Sequence, residues 1–82
     1  MIRLAVDTKL GREQVMERAR AHFAGRLGLT PQQVSDCCVS YTGGGGHVSV
    51  SFEDGAPANR TRVVVESQEW DEDAKAFAAG IS

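Results

Sequence analysis

Long apolar stretches are missing from this chain: Val63-Val64-Val65 is its longest run of large aliphatic side chains, far short of the roughly 20 residues that a membrane-spanning helix needs. A helix that crosses a membrane is excluded on that ground. The opening Met1-Ile2-Arg3-Leu4-Ala5-Val6-Asp7 is interrupted by charge too early for a signal-peptide core, so the expected location is cytoplasmic. Cysteine is equally scarce. The two present, Cys37 and Cys38, are adjacent, and neighbours on an extended chain point to opposite faces, so reduced thiols are expected rather than a strained bridge. Histidine is limited to His22 and His47, with no His-x-x-x-His or Cys-x-x-Cys spacing, and no metal or cofactor is expected. Surplus positive charge is lacking too. Nine bases against eleven acids leave a net charge of −2, which removes the general attraction to a polyanion and argues against nucleic acid as a partner.

What is present is an ordinary globular composition, 41% hydrophobic and 24% charged over 82 residues, enough for one domain spanning 1–82. Its charge is unevenly spread. Six bases and three acids fall in residues 1–35, whereas residues 36–82 hold three bases and eight acids, a separation that suggests complementary surfaces within one copy or between two.

Alternation of Ile2, Leu4 and Val6 with Arg3, Ala5 and Asp7 predicts a strand over residues 2–7 with one face buried. A helix should follow from Gly11 as N-cap with Gln14 at the N3 position, carrying Val15, Met16, Ala19, Phe23 and Leu27 on one stripe and ending at Gly28. Thr30-Pro31-Gln32-Gln33 has the features of a second helix start and predicts a single turn. From Cys37 the period becomes two, with Cys37, Val39 and Tyr41 against Cys38, Ser40 and Thr42; beyond Gly43–Gly46 it continues as Val48, Val50 and Phe52 against Ser49, Ser51 and Glu53. After a turn-rich link over residues 54–59, a strand is predicted from Arg60 to Gln68 with Val63 and Val65 inward. A last helix from Trp70 to Ile81 then buries Trp70, Ala74, Phe77, Ala78 and Ile81, its acidic first turn suiting the positive helix end.

The expected fold is therefore α+β, in the order β-α-β-β-β-α: a four-stranded, mainly antiparallel sheet with two helices on one face. Ser40, Thr42, Ser49, Ser51, Arg62, Val64 and Glu66 would lie on the other, open face. In topology this order resembles folds in which a curved antiparallel sheet grips a long helix, such as the helix-grip ligand-binding domains. So small a domain gains from association, and a homodimer is a natural expectation.

Several residues are candidates for chemistry. Gly43, Gly44, Gly45 and Gly46 offer bare backbone N–H groups to an anion or nucleotide, but they join two strands rather than a strand and a helix, which is the arrangement of a hairpin tip. Cys37, Cys38 and His47 are the candidate catalytic set, a thiolate activated by imidazole across the hairpin; small buried side chains are the simpler role for the cysteines. Arg60 and Arg62 are candidates for a small anion site, with Glu53 as a cross-strand partner in the simpler alternative. Trp70 either anchors the last helix or stacks on a ligand. Because folding roles account for nearly every conspicuous residue, the expected function is a small non-enzymatic binding module that engages a protein partner, a second copy or a small apolar ligand. It would do so through the open sheet face or a helix–sheet cleft. A thiol- or histidine-dependent enzyme is the alternative.

Overall fold

The computed structural model describes residues 1–35, 38–53 and 55–82. Five strands form one antiparallel sheet: β1 (Ile2–Thr8), β2 (Thr30–Val34), β3 (Cys38–Gly43), β4 (Gly46–Glu53) and β5 (Thr61–Gln68), in the order β1-β5-β4-β3-β2. Two helices complete an α+β fold: α1 (Arg12–Ala19), prolonged by a π-helical segment over Arg20–Arg26, and α2 (Asp71–Ile81). Of the residues assigned to strands and turns from sequence, Cys37 and Asp54 lie outside the described residues.

The fifth strand corrects the sequence expectation. Thr30-Pro31-Gln32-Gln33-Val34 is not a helical turn but the edge strand β2, with Thr30 opposite Thr42, Pro31 opposite Tyr41 and Val34 opposite Val39, and a register shift between Pro31 and Gln33. The physical reason is nucleation. A single turn fixes several residues for one hydrogen bond, whereas the outer edge of β3 already offers a ladder to pair with. Thr30 and Val34 are β-branched, and proline is tolerated where one side of the strand has no neighbour.

Alternation decides the core. Val39 and Tyr41 on β3, Val48 and Val50 on β4 and Val63 and Val65 on β5 join Val15, Ala19 and Phe23 of the first helix and Ala74, Phe77 and Ile81 of α2 in one buried cluster. The register aligns them in rows, with Val39 opposite Val50, Val50 opposite Val65 and Val65 opposite Leu4. Gly11 caps α1, its N–H donating to Gln14 Oε1 at 2.9 Å. The π-helical continuation was not foreseen. Its signature is the bond from Leu27 N–H to the carbonyl of His22, five residues back, at 3.2 Å. Val15, Ala19 and Phe23 are spaced by four, slightly more than an α-turn, and the wider winding from Arg20 onward keeps fully buried Phe23 over the core. Gly28, at φ 75°, then stops the helix as expected.

Thr8 ties the last helix to the sheet. Its Oγ1, buried, donates to the carbonyl of Ile81 and accepts from Leu10 N–H at 3.2 Å, so one hydroxyl joins the end of β1, the entry to α1 and the last turn of α2. At the other end, Trp70 N–H donates to buried Ser67 Oγ at 3.2 Å. Neither hydroxyl was singled out in the sequence, where each is one polar residue in an alternating strand.

The opposite sheet face carries ion pairs in place of apolar cover. Arg3 reaches Glu66 at 3.7 Å and Glu53 at 3.4 Å, and Arg62 binds Asp7 through two bonds of 2.9 and 3.2 Å. In the sheet register Arg3 pairs with Glu66 while Glu53 lies four rungs away on β4, so the Arg3 stem crosses the Ala5–Val64–Ser51 row between them. That explains why Val64 is only 1% exposed although it points away from the helices.

The Asp7 carboxyl is held below its ordinary value of 3.8, chiefly by hydrogen bonding from Arg62, with partial desolvation opposing. A depressed carboxyl stabilises the folded state at neutral pH, and that stabilisation is lost as pH falls through its folded value. Asp7→Asn is accordingly expected to melt below the parent at neutral pH, the gap in Tm closing below pH 3.8; an unchanged gap in acid would remove the ion pair from this role.

Candidate binding cleft

The sequence-predicted candidates are dispersed by the fold. Cys38 pairs with Ser51 and His47 with Thr42, so the two side chains share the open face but lie four residues apart along the hairpin, about 13 Å at ordinary strand rise. The structure does not bring them together. Cys38 is disulfide-bonded, which corrects the expectation of a reduced thiol there and leaves its sulfur without thiolate character in this state; Cys37 lies outside the described residues.

The four glycines form a tight hairpin. Gly43 pairs with Gly46, and Gly44 and Gly45 take φ values of 60° and 84°, the signs required of a two-residue turn with both central residues left-handed. Trp70 closes over the tip. Its Nε1–H donates to the Gly43 carbonyl at 2.9 Å, and a Cβ on Gly44 would come within 2.9 Å of its ring, so Trp70 acts as an anchor for the hairpin.

Arg60 precedes β5 and is exposed, while Arg62 is committed to Asp7. Both line a shallow hollow with Arg12 and Glu53, but Asp7 neutralises Arg62 and Glu53 adds a carboxylate to the hollow itself. The cross-strand role is the one the geometry serves.

A different feature meets the description of a binding site. α2 packs on β1 and β5, the first helix reaches β4 and, through Phe23 against Tyr41, β3, while the edge strand β2 is exposed along its length. A cleft of about 340 Å³ opens there between α1 and the sheet, within the lower range of small-molecule sites. Met16 forms one wall and Pro31, Val34, Val39 and Tyr41 the other. Val34 is 68% exposed and, among the described residues, shares with terminal Met1 the distinction of being a large apolar side chain left to water. Its partner in register, Val39, is 3% exposed, so the cleft grades from core to solvent along one rung.

The rim is polar but balanced. Glu17 and Arg20 pair at 3.1 Å, and the Arg12 guanidinium sits 5.2 Å from the centre of the Phe52 ring. Glu13 completes a rim with two bases and two acids. Burial pushes the Tyr41 phenol up from its usual 10.0, with Glu17 adding and Arg20 opposing. It therefore stays a neutral hydroxyl throughout the physiological range. Met16 and Val34 carry a faint signal of this site in the sequence, but Met16 also fits the apolar stripe of the first helix and Val34 follows helix-start residues.

Comparison with known proteins returns no significant match to a family model, a curated protein or a solved structure.

Proposed function

We propose that this protein is a non-catalytic binding module whose helix–sheet cleft takes a small, uncharged apolar ligand. The observation that carries the reading is the exposed Val34 beside buried Val39 and Tyr41, with Met16 on the helix side of the cleft: apolar surface left wet along the exposed β2 edge. The balanced rim favours a neutral occupant over a charged one, and a protonated Tyr41 hydroxyl offers a single polar contact. The separation of Cys38 from His47 gives no support to thiol chemistry at Cys38, and the ion pairs across the open sheet face make that face a less apolar platform for a protein or second copy.

The test uses the neutral fluorophore N-phenyl-1-naphthylamine. The parent protein is expected to bind it saturably with enhanced emission. Val34→Asp and Met16→Asp should each weaken binding about tenfold, since an apolar ligand seated there would strip water from the new carboxylate without replacing it. Val34→Asp should leave Tm nearly unchanged because the parent side chain is largely exposed. Equal affinity in the parent and both variants would refute the cleft as the site.

A further inference from the structure

A second groove runs along another side of the first helix, between the π-helical segment and α2, with a volume of about 330 Å³. Arg18 of α1 and His22 and Arg26 of the π-helical segment line one side; Phe77, Gly80 and Ile81 are among the residues that line the α2 side. The three polar residues are four apart, so successive turns present them to the same groove. No acidic side chain lines it.

That absence is local. Arg3, Arg20 and Arg62 each have a carboxylate within 4.0 Å and Arg12 has the Phe52 ring, whereas Arg18 and Arg26, like Lys9 and Arg60 elsewhere on the surface, have no ion-pair partner among the described residues. The chain carries more acids than bases, yet Asp71, Glu72 and Asp73 are collected in the first turn of α2, away from the groove at its last. The negative end of α2 accounts for a base beside Gly80 and Ile81. It does not account for Arg26 in the same groove, or for His22 against Phe77, one turn earlier. His22 adds a second unmet demand: its ring lies against Phe23 and Phe77, at centroid distances of 4.9 and 6.0 Å, and its Nε2 is buried with no hydrogen-bond partner.

We infer that this groove binds a small amphiphile with one oxyanion headgroup, carboxylate or phosphate, held between Arg18 and Arg26 with its apolar body on Phe77 and Ile81. The guanidinium fork matches either oxyanion in two parallel bonds. The occupant is charged where that of the cleft is neutral, so the two readings stand or fall separately.

Amide chemical-shift titrations with octanoate, octyl phosphate, 1-octanol and inorganic phosphate test it. Octanoate or octyl phosphate should shift residues 18–26 and 76–81 and saturate, and the tighter of the two identifies the headgroup. Octanol and inorganic phosphate should each bind at least about tenfold more weakly, since each lacks half of the recognised chemistry. Arg18→Ala with Arg26→Ala should cost at least about tenfold in affinity. Gly80→Leu supplies a variant that does not depend on removing contacts: a Cβ at Gly80 meets nothing within 4 Å, and leucine favours the helix over glycine, so the protein should melt no lower than the parent while the filled groove loses binding. Octanol or inorganic phosphate shifting residues 18–26 and 76–81 with equal affinity, affinity at those residues unchanged in the double variant, or no shifts there would overturn the assignment. Shifts confined to residues 12–17 and 31–41 would do so while supporting the cleft.

Discussion

Phe23→Ala is expected to leave little folded protein at physiological temperature. Phe23 is fully buried at the meeting point of the first helix, β3 and α2, with ring centroids 5.7 Å from Tyr41 and 5.1 Å from Phe77. Truncating such a ring removes its transfer free energy and leaves a cavity, together about 3–5 kcal/mol. A domain of this length has a total stability of about 4–12 kcal/mol, so the loss is comparable with the whole. Circular dichroism during thermal unfolding should show a lost or sharply lowered transition. Phe23→Leu, which keeps most of the volume, should cost roughly 1.5 kcal/mol or less. If the alanine variant melted within a few degrees of the parent, Phe23 would not be the residue that joins the two helices to the sheet.

Gly46→Ala is the second large effect, and it comes from one added methyl. A Cβ there would lie 2.1 Å from the Gln68 carbonyl oxygen and 2.5 Å from Glu69 Cβ, and the first of these is backbone held in the β4–β5 ladder. Relief requires the hairpin tip and the end of β5 to separate, which also pulls at the Trp70 contact with Gly43. A cost of about 3 kcal/mol follows, at the upper end for overpacking. Gly45→Ala is the control: a Cβ there meets nothing within 4 Å, and only the left-handed φ of 84° opposes it, so about 1–2 kcal/mol should be lost. Urea unfolding of both variants checks the order. A Gly46 variant no less stable than the Gly45 variant would show that the tip does not press on β5.

Much of this fold was legible in the order of residues because burial there follows local periodicity. Val48 and Val50 had to share a face, Gly44 and Gly45 could turn a hairpin, and Ala74, Phe77, Ala78 and Ile81 could line one side of a helix whichever neighbours they met. Thr30–Val34 was misread because its helix-start signals are local and real, while the competing signal, an unpaired β3 edge, belongs to residues several positions away. The candidate sites were the least legible part. Cys38 and His47 look like a pair on a linear map, yet register separates them by four rungs; Arg60 and Arg62 look like an anion site, yet Asp7, distant in sequence, neutralises one of them.

The amino-acid order alone determined that the protein is α+β, that no helix among the described residues is long and apolar enough to cross a membrane, and that the chain turns at Gly28 and at the glycine hairpin, since each rests on side-chain period, length or backbone sterics within a few residues. Only the tertiary structure decided that β2 is a strand, that a π turn seats Phe23, and that Val34 and Met16 face each other across a cleft while Arg18, His22 and Arg26 line a groove with α2. Those outcomes depend on which surfaces remain uncovered once sheet and helices have packed, and that is a property of distances between segments far apart in the chain.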